Sequence, residues 1–324
     1  MKILVVQLTD AAHLLLATPL LRCLKKELQS TELHLLTRHN TADVLAPNRY
    51  IDKLHRLHFN THTTVAELKS EAFDQVLPLS DDAETNLLIQ ELNAPLLPQQ
   101  QKGFKTFWQR LFRPKKERHP AELYLQKVAL LGVENDGAGL DYFIPRSAEV
   151  PYTDLPASHL AGFIALAVTP SAASPWPVQL LQQLVQSIDH PIILIGSEKD
   201  RSLVESIRAA DELRVYNACG KFTLHETADL VRKAKLLVAY DAYFVQTAAA
   251  FGKEIVWLHD AANNQLSPYY SAAFLKGKKE PVYDKVNLPT VLLNKKSGNS
   301  FEGSAAKFAN DVVVSINKRL KRKA

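Results

Sequence analysis

The sequence predicts an α/β protein of two doubly wound, Rossmann-like parallel-sheet domains facing across a cleft. Short apolar runs alternate with segments of helical period along the whole chain, the pattern of strands joined by crossover helices. The alternation stops at a proline-rich stretch near residue 150 and then restarts. A length of 324 residues with 46% hydrophobic content is enough for two buried cores.

In the first half, strands are expected at 2–8, 33–37, 53–58, 73–79 and 95–98, with helices at 13–28, 40–46, 64–71 and 83–92 between them. Thr64-Val65-Ala66-Glu67 reads as a capping box opening the third of these helices. Two more helices are expected at 104–112 and 120–131. Residues 145–160 hold Pro145, Pro151 and Pro156 with no periodicity and read as the linker. The domains are therefore placed at 1–150 and 151–303, followed by a helix and basic tail at 304–324. In the second half, strands are expected at 162–168, 191–195, 214–217, 235–239 and 254–258. Helices follow at 177–188, 198–209, 223–233 and 243–251, with a second capping box at Thr223-Leu224-His225-Glu226. Phe308, Val312, Ile316 and Leu320 form the apolar stripe of a last helix over about 304–320. Ligands of such sheets bind beyond the C-terminal ends of the strands.

Glycine narrows the function. There are 11, and the first is Gly103. The turn after the first strand, Leu8-Thr9-Asp10-Ala11-Ala12-His13, holds none, so the glycine-rich dinucleotide fingerprint is absent, as is a P-loop. Cys23 and Cys219 make neither a disulfide framework nor a zinc site by themselves, which fits a reducing, cytoplasmic setting. No apolar run reaches membrane-spanning length, and the first residues turn polar too soon for a signal peptide.

The net charge of +5 is local. Residues 102–118 carry seven Lys and Arg against Glu117, and Lys318 to Lys323 carry five more. The rest of the chain is acidic, which argues against nucleic acid as a partner. Within 102–118, Phe104, Phe107, Trp108, Leu111 and Phe112 share one helix face. Three readings are open: an interfacial helix lying on anionic lipid, a helix packed on its own domain with the basic side in solvent, and, third, RNA binding, to which aromatics confined to one face are less suited than to burial.

Several segments, taken in order, resemble glycosyltransferase family 9, the bacterial heptosyltransferase family of GT-B fold. They are Thr18-Pro19-Leu20-Leu21-Arg22-Cys23-Leu24-Lys25 in the first helix; Ile195-Gly196-Ser197-Glu198; Asn217-Ala218-Cys219-Gly220-Lys221-Phe222-Thr223-Leu224; and Val238-Ala239-Tyr240-Asp241 followed by Thr247 to Lys253. The likeness spans about 1–260. Where the family carries a catalytic Asp, this chain has His13; a lysine between the Pro170 and Trp176-Pro177 ends is missing; and the family's Gly and His after Asp241 are Tyr243 and Gln246.

The resemblance implies inverting transfer of a heptose-like sugar from a nucleoside-diphosphate donor to a lipopolysaccharide or cell-envelope glycan acceptor. No cofactor or metal is implied, and the site is cytoplasmic or peripheral on the inner membrane face. It places His13 as the base, with Asp10 able to substitute; the other reading is that His13 only begins a helix. It places Ser171, Trp176, Glu198, Lys221, Asp241 and Gln246 on the nucleotide sugar, although Asp241 also reads as a helix cap. Lys199, Arg201 and Lys253 are further cations near that segment. His55, His58 and His62 straddle a strand end and a loop without a shared face, so a metal is not expected there. The alternative function is a non-catalytic relative that binds a glycan, lipid or partner with an inherited cleft.

Overall fold

The computed structural model describes residues 1–98, 118–168, 178–209, 211–259, 266–278, 280–288 and 299–321. The expected helix at 104–112, most of the basic segment 102–118, and Ser171 and Trp176 lie outside them. The chain divides into two compact units, Met1–Phe143 and Ile144–Ala324.

In the first unit, β1 (Lys2–Val6), β2 (Glu32–Arg38), β3 (Lys53–Leu57) and β4 (Gln75–Pro78) form a parallel sheet in the order β3-β2-β1-β4. Its crossovers are α1 (Ala11–Glu27), a 3-10 turn at Ala42–Leu45, and α2 (Thr61–Ser70); α3 (Ala83–Leu92) follows β4. β1 is buried on both faces, which is why it reads as a continuous apolar run. Leu4 and Val6 pack with Val65 and Leu68 of α2 and Leu88 and Leu92 of α3. Ile3 and Val5, pointing the other way, are equally buried. Each such side chain contributes roughly 1.5–3 kcal/mol of burial.

α1 carries Pro19 in its interior. Proline has no N–H for the Leu15 carbonyl, and the Thr18 hydroxyl donates to that carbonyl instead at 2.7 Å. The Thr18 oxygen also accepts from the Asp141 backbone N–H. Arg22, one turn on, is buried and donates to Asp136, Asp141 and the Gly139 carbonyl. Thr-Pro…Arg therefore ties segment 136–141 beneath α1. Nearby, α4 (Pro120–Gln126) is followed by a turn at Ala129–Leu131, which ends at Gly132 with φ +74°.

Three local expectations are corrected. α2 begins at Thr61, with the Asn60 side chain as its cap, so Thr64 lies inside the helix and accepts from the His58 N–H. Residues 95–98 make a single bridge, Leu96 to Val76, because Pro95 and Pro98 cannot donate to a ladder. Residues 40–46 form only the short 3-10 turn. The linker 145–160 holds three 3-10 turns, each entered from Pro145, Pro151 or Pro156.

In the second unit, β5 (Ile164–Ala167), β6 (Ile192–Ile195), β7 (Val215–Asn217), β8 (Leu236–Ala239), β9 (Ile255–His259) and β10 (Tyr283–Asn287) form a parallel sheet. The order β10-β9-β8-β5-β6-β7 is the doubly wound order, with its switch point between β5 and β8. α5 (Val178–Ser187), α6 (Arg201–Arg208) and the final helix α10 (Asn299–Lys321) supply one side of the core. α7 (Leu224–Lys233) and α8 (Ala242–Ala250) pack together, and α8 touches β8 and β9. The Thr223–Glu226 capping box forms in both directions. The short α9 (Ala272–Leu275) and β10 escaped the sequence reading; β10 is an edge strand, half-exposed and partly charged.

The basic tail is not a free patch throughout. Arg319 is buried, donating to Asp284 and the Pro281 carbonyl at 2.8 Å each. Lys318 pairs with Asp284 at 3.1 Å. Lys321 is exposed. Among the described residues no helix is long and apolar enough to cross a membrane.

Candidate active site

Both sheets point their C-terminal strand ends at loops that carry the polar residues singled out above. In the first unit the order reverses between β1 and β4, and the loop after β1 holds Asp10 and His13. Asp10 caps α1, accepting from the His13 backbone N–H at 2.9 Å. The same carboxylate meets His13 Nδ1 at 2.9 and 3.0 Å. Partial burial works to raise the Asp10 pKa, but the hydrogen bonds from the His13 ring and backbone prevail and hold it below the ordinary value. A carboxylate on Nδ1 keeps the proton there and leaves Nε2 as the basic atom of a neutral imidazole. A nucleophile–base constellation needs this kind of oriented tautomer.

The loop is fixed from below. Buried Gln7 accepts from the Thr9 hydroxyl at 3.0 Å and donates to the Tyr124 hydroxyl at 3.0 Å. Burial pushes the Tyr124 phenol up to about 12, so it stays protonated beside the pair. Arg38, at the end of β2, donates to the Leu8 carbonyl at 2.5 Å and pairs with Glu84. Arg38 was not singled out from sequence; its position just after a strand was the available signal.

In the second unit the switch point lies between β5 and β8. Asp241 follows β8 and caps α8, its Oδ1 accepting from the Tyr243 N–H at 2.9 Å and the Phe244 N–H at 3.3 Å. Glu198 follows β6 and Lys221 follows β7, on adjacent strands. Gly220 joins them physically: with φ +67°, an added Cβ would lie 1.7 Å from Glu198 Oε2 and 2.7 Å from its Cα. Only glycine suits that conformation and approach. The Lys221 ammonium sits 4.4 Å from the centre of the Tyr216 ring, and burial lowers its pKa. Arg201 pairs with Glu198 at 3.2 Å.

Gln246 is placed differently. It is fully buried, donates to the Leu266 and Ser267 carbonyls at 2.8 and 3.0 Å, and accepts from the Tyr269 N–H. It thus holds segment 266–269 against α8. Lys253 precedes β9, at the N-terminal ends of the strands rather than their C-terminal ends, and donates to the Ala234 carbonyl. His259 and Asn287, at the ends of β9 and β10, meet at 3.2 Å and were not expected from sequence.

The three sequence histidines separate. His58 pairs with Glu67 and His62 with Glu91, each at 3.3 Å, while His55 turns inward to His34. Among the described residues, the group able to hold a metal ion is His34, His55 and Glu71.

A family model described as "Glycosyltransferase family 9 (heptosyltransferase)" matches residues 62–275, leaving Asp10 and His13 outside the matched range. A solved family 9 glycosyl transferase from Veillonella parvula DSM 2008 is similar at a TM-score of 0.74 and 19% identity, over 99% of this chain and 97% of that one. The E. coli ADP-heptose LPS heptosyltransferase II is similar at 0.68 and 16% identity, over the whole of both chains. E. coli heptosyltransferase WaaC, solved with ADP, is similar at 0.66 and 15% identity, over 95% of this chain and all of that one. These likenesses establish the GT-B fold. No curated protein matches the chain in sequence.

Proposed function

Because the chain belongs to glycosyltransferase family 9, we propose that it transfers a heptose-like sugar, with inversion, from a nucleoside-diphosphate donor to a lipopolysaccharide or other cell-envelope glycan. The observation that carries this reading is the Asp10–His13 pair at the switch point of the first sheet. The family's aspartate is absent there, and a histidine oriented by a neighbouring carboxylate takes its place.

In the proposed step His13 Nε2 takes the proton from the acceptor hydroxyl as that oxygen attacks the anomeric carbon. The bond from that carbon to the diphosphate breaks on the opposite face, and the nucleoside diphosphate leaves. Asp10 holds the Nδ1 proton and stabilises the imidazolium that forms. On the second unit, Asp241, Glu198, Lys221, Ser171 and Trp176 are assigned to the nucleotide sugar, with the Lys221 ammonium as the cation among them. Gln246 is assigned there through segment 266–269, which it pins. The non-catalytic alternative gains no support from the family match or the structural neighbours.

The acceptor's chemistry also suits a peripheral position on the inner membrane face, reached through 102–118 and the basic tail from Lys321 onward. Calorimetry with a panel of nucleoside diphosphates and their sugars tests the donor assignment. ADP and ADP-heptose, named for the E. coli neighbours, are expected to bind one per chain. Binding of no nucleoside diphosphate would remove the transferase reading.

A further inference from the structure

Toward the N-terminal ends of its strands, the first sheet holds a cluster that the glycosyl-transfer reading does not use. His34 on β2 and His55 on β3 lie on the same face of neighbouring parallel strands; His34 pairs in register with Lys53 and Leu36 with His55, so the rings meet diagonally. His34 Nδ1 and His55 Nε2 are 2.9 Å apart. Glu71, which caps the end of α2, brings a carboxylate oxygen within 4.8 Å of a ring nitrogen of each histidine. His34 is fully buried and His55 nearly so, whereas the Glu71 side chain is 17% exposed. Phe73 closes the inner side, its ring edge-on to both imidazoles.

We propose that His34, His55 and Glu71 bind a divalent first-row transition metal of the zinc class, as a staple joining β2, β3 and the end of α2. The proposal stands independently of the transfer reaction.

Two observations point to a metal rather than to a buried polar pair alone. First, His34 Nε2 meets Glu32 Oε1 at 2.8 Å. An ionised carboxylate only accepts, so Nε2 carries the proton and Nδ1 presents its lone pair toward His55. A carboxylate behind the ligating imidazole is the usual outer partner of a metal-bound histidine. Second, the spacing of the two imidazole nitrogens is close to what a metal needs. Nitrogens at about 2.0–2.1 Å from a tetrahedral zinc are about 3.3 Å apart, so the rings have to part by only about 0.4 Å. On binding, His55 moves its proton from Nε2 to Nδ1, and no net proton is lost. Two imidazoles with one carboxylate suit Zn²⁺, Ni²⁺ or Cu²⁺ rather than Mg²⁺ or Ca²⁺.

Lys2 and Lys53 currently hold Glu71. They compete with the ion for the carboxylate and repel it, which gives the proposal a signature a purely structural cluster lacks. Removing exposed Lys53 should tighten metal binding.

The test uses the full chain without a histidine tag, stripped with a chelator and titrated with Zn²⁺ by calorimetry. Cu²⁺ spectra count the nitrogen ligands, and circular dichroism checks that each variant is folded. One Zn²⁺ per chain and two nitrogen ligands on Cu²⁺ are expected. His55→Gln should lose the site, Glu32→Gln should bind 10–100-fold more weakly, and Lys53→Ala should bind more tightly. If His55→Gln does not fold, the two rim variants decide, since both side chains are about half-exposed. Absence of stoichiometric binding by the wild type overturns the site. So does Zn²⁺ affinity unchanged in His55→Gln or in both rim variants.

Discussion

At the scale of single residues, two carboxylates do double duty as helix caps and as proposed site groups, and the two roles separate by choice of substitution. Asparagine caps a helix about as well as aspartate but carries no charge. Asp10→Asn should therefore melt like the wild type while turnover falls, because the charge that orients the His13 ring and stabilises its imidazolium is gone. Asp10→Ala should lose both turnover and about 1 kcal/mol of stability. Thermal melts beside initial rates check this, and an Asp10→Asn enzyme of full activity would leave Asp10 as a cap only. Asp241→Asn should likewise keep its melting temperature and bind donor more weakly by calorimetry. Unchanged donor binding would reduce Asp241 to capping. His13 and Asp10 were candidates in the sequence because the family resemblance places the base at the start of the first helix. The ring-to-carboxylate bond was not legible, since a spacing of three residues at a helix start also fits a cap alone. Arg38 and the His259–Asn287 pair were missed because they are ordinary polar residues until each sheet sets them at the C-terminal ends of its own strands.

Among the elements, the segments that carried the family resemblance turn out to hold the fold. Thr18, Pro19 and Arg22 secure segment 136–141, and Gly220 lets two strand-end loops meet. Hydrogen bonds from Arg22 and Lys26 keep the Asp136 carboxyl well below the usual carboxylate range, whereas burial pushes that of Asp141 up. An acid with a lowered folded pKa binds more protons when unfolded, so its contribution is full above about pH 4 and fades as pH falls through the folded value. Asp136→Asn should cost about 1–3 kcal/mol at pH 7. In urea unfolding at a series of pH values, its deficit should narrow below pH 4; a constant deficit would mean that the ion pair is not its source. Gly220→Ala should destabilise by at least the roughly 1–2 kcal/mol of a left-handed non-glycine residue. Helices and central strands were readable because their burial follows period 3.6 or near-continuous apolarity. β10 was not, because an edge strand with one wet side dilutes its pattern with charge. The strand expected at 95–98 failed because two prolines remove its donors.

For the whole molecule, the sequence placed positive charge in two patches, and the structure changes what one of them can do. Arg319 is a core residue of the second unit, so reversing its charge would unfold the protein rather than test membrane binding. The vesicle experiment belongs to Lys115, Lys116 and Arg118 changed to Glu, with deletion from Arg322 onward as a parallel variant. Wild type should bind anionic but not neutral vesicles and be released by salt, since exposed charges are screened over about 8 Å at physiological ionic strength. Binding untouched in both variants would refute the peripheral reading. The central claim is that this family 9 chain transfers a sugar with His13 as base. Its most direct test is single-turnover transfer from ADP-heptose to a lipopolysaccharide-core acceptor, by wild type and His13→Ala, with donor affinity measured in the same samples. Wild type should transfer the sugar with inversion, while His13→Ala binds donor equally and transfers about 10²–10⁴-fold more slowly. Equal rates from the two proteins, or no transfer by wild type with donor bound, would contradict it.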